Sequence, residues 1–183
     1  PAAEALLRHQ LEKAGIDVRV RSAGLLSGNQ PASSHGVRLL EERGIDMSTH
    51  RSQTMTRELL QEADLVLAMA REHVREAVVQ LPEAWPRTFT LKELVRRGLR
   101  NGPRHAGEPF DAWLAQIHAG RNIQDLMGAS GEDDVADPIG QPRAAYERMV
   151  TDLTDLLDRM VWLIWGEAEH RSEPAFAHDG SDA

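Results

Sequence analysis

Ala63-Asp64-Leu65-Val66-Leu67-Ala68-Met69 is the stretch that decides the architecture. Its apolar centre is continuous rather than alternating, as in a strand covered on both faces, which is the habit of parallel strands. Working outward, residues 72–80 predict a helix. Thr88-Phe89-Thr90-Leu91 is short and rich in β-formers, so it predicts a further strand, and it runs into a helix over 92–99. Strands alternating with helices argue for an α/β fold with a small parallel sheet and helices on both faces.

Upstream, residues 2–14 predict an amphipathic helix with Ala5, Leu6 and Leu11 on one face, ended by Gly15. Val18-Arg19-Val20-Arg21 alternates, which fits a half-exposed strand turning at Ser22-Ala23-Gly24. Pro31 can open a second helix carrying Val37, Leu39 and Leu40 and stopping at Gly44. Thr56 can cap a third, short helix through Leu60. Only three strands are visible. A crossover starts with a strand and this chain starts with a helix, so a strand before residue 1 would repair the pattern.

Downstream, residues 109–119 predict a helix with Trp113, Leu114 and Ile117 on one side. Residues 128–142 form a polar, acidic loop containing Asp137-Pro138, and from Ala144 to Trp165 a long helix carries Met149, Leu153, Leu156, Leu157, Met160 and Leu163 at helical spacing. Trp162 and Trp165, three apart on that helix, fit core packing or a partner surface. The expected organisation is one domain over 1–166, followed by a polar, disordered tail over 167–183.

The bulk numbers bound the function. A chain of 183 residues suits a single domain, and 41% hydrophobic with 27% charged residues is ordinary for a globular protein. A formal charge of −8 argues against a non-specific nucleic-acid surface. No apolar run reaches the length of a membrane span and no leader pattern opens the chain, so the expectation is no membrane association and a cytoplasmic protein. The complete absence of cysteine excludes disulfides, thiolate metal sites and a cysteine nucleophile within these residues. The histidines show no metal-binding spacing, and no glycine-rich nucleotide fingerprint follows a strand.

Four segments, in order, resemble the low-molecular-weight protein tyrosine phosphatases over roughly residues 1–165. They are Pro1 to Arg8, Arg21-Ser22-Ala23-Gly24-Leu25, Gly44-Ile45-Asp46 with His50-Arg51-Ser52 and the 63–69 strand, and Asp137-Pro138 ahead of a terminal helix containing Tyr146. The family signature is a C-x5-R-S loop between the first strand and the first helix, and by the resemblance Pro1 follows that serine directly. Two departures stand out. The nucleophilic cysteine and the phosphate-clasping arginine fall outside these residues, and Gln53 stands where many relatives carry arginine. The first strand is central in the family's sheet. Without it two facing strands would hold unpaired N–H and C=O groups, so the chain by itself is expected to be poorly stable or to aggregate.

The resemblance implies hydrolysis of a phosphotyrosine protein or a small aryl phosphate through a phosphocysteine intermediate, with no metal or organic cofactor. A low-pKa thiolate attacks phosphorus, backbone N–H groups at a helix N-terminus hold the phosphate oxygens, and a carboxylic acid protonates the leaving phenolate. By the resemblance Asp137 is the general acid; read locally, it is an ordinary Asp-Pro turn residue. Pro138 biases Asp137 toward extended backbone, which could fix the carboxyl direction. The neighbouring Asp133 and Asp134 read as solvated. His50 and Ser22 resemble residues that support the phosphate loop; read locally, His50 is a surface histidine near a helix start and Ser22 a turn residue. An arsenate reductase relative, a non-catalytic binding scaffold and a non-functional fragment are the alternatives. Oligomeric state is open, and so is the role of the stretch from about Arg96 to Gly131.

Overall fold

Residues 1–26, 28–127 and 131–166 are described by the computed structural model. Two strands, β1 (Val66–Ala68) and β2 (Thr88–Thr90), pair in parallel with Val66, Leu67 and Ala68 opposite Thr88, Phe89 and Thr90. The helices are α1 (Ala2–Lys13), α2 (Ser34–Glu41), α3 (Arg57–Glu62), α4 (Arg71–Gln80), α5 (Leu91–Asn101), α6 (Phe110–His118) and α7 (Arg143–Trp165). Short 3-10 turns occupy Pro82–Arg87 and Ile123–Met127.

The apolar run around β1 behaves as its composition requires. Successive side chains of a strand point to opposite faces. Leu65, Leu67 and Met69 pack into the main core with Phe89, α1, α2, α5, α6 and α7, while Val66 and Ala68 pack on the other face with residues of α3 and α4. The result is α/β with a small parallel sheet covered on both faces. Among the described residues β1 has a strand partner on one edge only.

Local chemistry sets most boundaries. Thr56 Oγ1 accepts from the Leu59 amide at 3.3 Å and Thr90 Oγ1 from the Glu93 amide at 3.1 Å, capping α3 and α5. Gly15, at φ +65°, lets the chain leave α1 in a left-handed turn that carries no Cβ penalty.

Two expectations are corrected. Val18–Arg21 is not a strand: no ladder forms there, and the extended pairing lies further on, at bridges Gly24–Thr54 and Pro31–Arg51. Alternation qualifies a segment to be a strand, but a neighbouring backbone has to supply the hydrogen bonds, and none of the described residues does. The second helix begins at Ser34, because Ser33 Oγ accepts from the Gly36 amide at 3.2 Å while Pro31 is engaged with Arg51. Of the paired tryptophans, Trp165 packs against the core and Trp162 stays 42% exposed. The expected tail over 167–183 lies outside the described residues.

The stretch from Arg96 onward, which had no assigned role, closes the flank of β2. The Arg121 guanidinium lies 3.7 Å from the Trp85 ring centre and 4.0 Å from that of Phe89. It is also bidentate to Glu93 at 2.8 and 2.9 Å and donates to the Thr88 carbonyl at 2.8 Å. Its side chain is 2% exposed, and the carboxylate, the carbonyls and two ring faces together replace its water. Arg104 staples the same segment to the end of α7 through the Leu163 and Ile164 carbonyls.

Candidate active site

Two groups of predicted site residues form in different places. The first is built at the start of α1. Glu4 sits in the first turn, where a carboxylate suits the unpaired amides and the positive end of the helix dipole. Ser22 Oγ donates to Glu4 Oε2 at 2.5 Å, and His50 Nδ1 lies 3.6 Å from the same oxygen. Arg8, one turn along, donates to Glu4 Oε1 at 2.6 Å. Glu4 and His50 are 12% and 13% exposed, so this is a sheltered cluster. Gln53, the departure from the family pattern, donates from Nε2 to the Ser22 carbonyl at 2.8 Å and steadies the same turn.

Ser22 and His50 are therefore brought together, and Glu4 is the residue that joins them. Sequence reading missed Glu4 because an acid in a first turn is ordinary on dipole grounds alone. Its identity as a hub depends on partners 18 and 46 positions away. His50 Nε2 is buried with no hydrogen-bond partner among the described residues. Burial, aided by neighbouring positive charge, holds the His50 pKa below its ordinary value despite the attraction of Glu4.

The second group is the loop that carries Asp137. Asp133, far from being solvated, is buried and accepts from Arg96 at 3.0 Å and from Arg71 at 3.1 Å. Asp134 Oδ1 accepts from the Arg71 amide at 2.8 Å, supplying to α4 the cap that Ala70 cannot. Lys92 Nζ donates to the Asp134 carbonyl at 2.5 Å, and the Val135 amide donates to the Met69 carbonyl at 2.7 Å. The loop is thus fastened just beyond the carboxyl end of β1, the side on which open α/β sheets place their ligands. Past these tethers Asp137 is exposed, with Oδ1 accepting from the Ile139 amide at 3.0 Å, while Pro138 is buried and seats the turn. No hydrogen bond or ion pair among the described residues joins Asp137 to the Glu4 cluster.

The arrangement offers a sheltered carboxylate–hydroxyl–imidazole cluster beside the first turn of α1 and an exposed carboxyl on a braced loop. It offers no thiolate, because the 183 residues contain no cysteine.

Comparison with known proteins agrees with this architecture. The family model for low molecular weight phosphotyrosine protein phosphatase matches residues 1–121. A protein-arginine-phosphatase of Bacillus subtilis is 43% identical over 96 residues, 52% of this chain and 63% of that protein, so the chain spans less than two thirds of it. A probable low molecular weight protein-tyrosine-phosphatase, EpsP, of Ralstonia solanacearum is 35% identical over 120 residues, 66% of this chain and 81% of that one. The crystal structure of a low molecular weight protein tyrosine phosphatase from T. tengcongensis superposes with a TM-score of 0.65 at 33% identity, covering 88% of each chain.

Two predictions follow from the geometry of these groups. Asp133→Asn leaves two guanidiniums without their shared carboxylate; with Arg96 half-exposed, the loss should be about 2–3 kcal/mol, under the full cost of breaking a deeply buried pair. Urea denaturation reads that loss, and hydrogen exchange should show faster exchange of the Val135 amide; unchanged exchange there would mean that Asp133 does not brace the loop. The second prediction concerns pH. His50 and His118 both have lowered folded pKa values, His118 through burial and then Arg121 and Arg97. Their unfolded forms take up protons first, so their contribution is intact above pH ~6.5 and is lost as pH falls toward the folded values. Stability measured from pH 7 down to 5 should decline, and the slope should be shallower in His118→Gln. An identical slope would remove His118 from the account.

By its family-model match, its relatives and its fold, the chain belongs to the low molecular weight phosphotyrosine protein phosphatases.

Proposed function

We propose that residues 1–166 form the body of a phosphoprotein phosphatase in which Asp137 is the general acid and Glu4, Ser22 and His50 support the phosphate loop. The observation that carries this is the bracing of the Asp137 loop by Asp133, Asp134 and Val135 at the carboxyl end of β1, which leaves the Asp137 carboxyl exposed. The thiolate must come from outside these residues, in the C-x5-R-S loop of the family.

In the proposed reaction the thiolate sulfur attacks phosphorus and the bond from phosphorus to the phenolic oxygen breaks. The protonated Asp137 carboxyl gives its proton to that oxygen, so a neutral phenol leaves. Water then attacks the phosphocysteine; Asp137, now a carboxylate, takes its proton, and the sulfur–phosphorus bond breaks to return thiolate and phosphate. Neither half-reaction requires a metal or an organic cofactor. Ser22 and His50 touch no reacting atom in this scheme; through Glu4 they fix the turn of α1 from which phosphate would be held.

Phosphotyrosine is the substrate class of this reading. A second reading is favoured by one observation: the relative at 43% identity is a protein-arginine-phosphatase, whose leaving group would be a guanidine. The test is a protein in which an apolar strand and a C-x5-R-S loop precede Pro1, assayed on phosphotyrosine and phosphoarginine peptides. Higher kcat/KM on phosphotyrosine is expected, and the opposite order would select the second reading. Asp137→Asn should lower kcat roughly 10²–10⁴-fold with a small change in KM. Undiminished kcat would remove Asp137 as the acid.

A further inference from the structure

An open cleft of about 990 Å³ runs along the outer face of α5 toward the 131–133 loop and α7. Among the described residues seven basic side chains and four acidic ones line it, a surplus of three positive charges on a chain whose net charge is −8. The surplus has a structural origin, since each of two carboxylates is shared by two guanidiniums: Asp133 by Arg71 and Arg96, and Glu93 by Arg97 and Arg121. Three further cations lie in the lining. Lys92 donates to a neutral carbonyl rather than to a carboxylate, while Arg100 and Arg159 are exposed and make no salt bridge among the described residues.

The cleft is also partly apolar. Leu99, 49% exposed, follows Lys92 and Arg96 on the same face of α5, and Leu156 of α7 stands beside Arg159. Asp152 and Asp155, next to Lys92 and Arg159, bound the basic zone on the α7 side. Asp133 in the cleft wall and Asp137 are four residues apart, which keeps their Cα atoms within ~14 Å.

We propose that this cleft docks an acidic segment of the phosphoprotein substrate, with an apolar side chain of the segment on Leu99 and Leu156. Carboxylates of the segment meet Lys92, Arg100, Arg159 and the guanidinium donors of Arg96 that Asp133 does not use. The overall negative charge repels an acidic partner elsewhere on the surface, so the attraction is confined to this zone. The substrate assignment rests on the phosphatase reading, because the cleft is useful to catalysis only if Asp137 acts within a few residues of it.

The experiment measures binding of a fluorescein-labelled dodecapeptide of Asp, Glu and Leu to the 183-residue chain by fluorescence anisotropy. The comparison peptide replaces the acids by Asn and Gln. The acidic peptide should bind, the neutral one should not, and added salt should weaken the complex. Arg100→Glu with Arg159→Glu should lower affinity by roughly tenfold or more. Arg38→Glu with Arg148→Glu, at exposed positions outside the cleft, should leave it unchanged, circular dichroism confirming the fold of both variants. Equal weakening in both double variants, equal binding of the neutral peptide, or tighter binding of a single-stranded RNA oligonucleotide to the same residues would overturn the proposal. The two readings fail separately. Turnover with no effect of Arg100→Glu and Arg159→Glu on acidic-substrate KM sinks the docking cleft alone. Peptide binding without turnover in the loop-completed protein sinks the phosphatase reading and leaves an acidic-peptide site.

Discussion

The parallel pairing of Val66–Ala68 with Thr88–Thr90 is the constraint on which the rest of the molecule depends. A parallel pair needs a crossover, and α4 with the turn Pro82–Arg87 supplies it. A strand buried on both faces needs two layers of cover, and the helices divide accordingly, with α3 and α4 on one side and α1, α5 and α7 on the other. The carboxyl ends of the two strands then define the edge at which α4 and α5 begin and the Asp137 loop is fastened. Arg121 adds the flank: one guanidinium holds two aromatic rings, one carboxylate and the first carbonyl of β2.

Charge sharing is the second organising principle. Asp133 and Glu93 each serve two arginines, so two carboxylates fix four basic side chains, from α4, α5 and the loop after α6. Planar guanidinium groups suit this use, since several donors can be directed at different acceptors at once. The arrangement braces the Asp137 loop and, among the described residues, leaves unpaired positive charge on the outer face of α5. Fold stability and a candidate recognition surface therefore draw on the same residues.

Much of this was legible in the sequence where the signal is local. The apolar run at 63–69 and the β-formers at 88–91 marked both strands, Thr56 marked its helix, and Gly15 marked the end of α1. What was not legible depended on distant partners. Val18–Arg21 alternates as a strand should, but no neighbouring backbone among the described residues pairs with it. Asp133 sits among polar residues and reads as solvated, yet Arg71 and Arg96, 62 and 37 residues away, draw it inside. Glu4 carried only the faint mark of an acid in a first turn, and its bonds to Ser22 and Arg8 reveal it as a hub. Ser22 and His50 were singled out by family resemblance, and the fold brings both of them to the Glu4 carboxylate.

The central proposal is a division of labour: Asp137 and the Glu4 cluster would serve as acid and support, and the nucleophile would come from outside these residues. The most direct test is to purify the 183-residue chain and measure hydrolysis of a small aryl phosphate. The account predicts none, with or without Asp137. Measurable turnover that disappears in Asp137→Ala would show that these residues carry a nucleophile of their own and would contradict it.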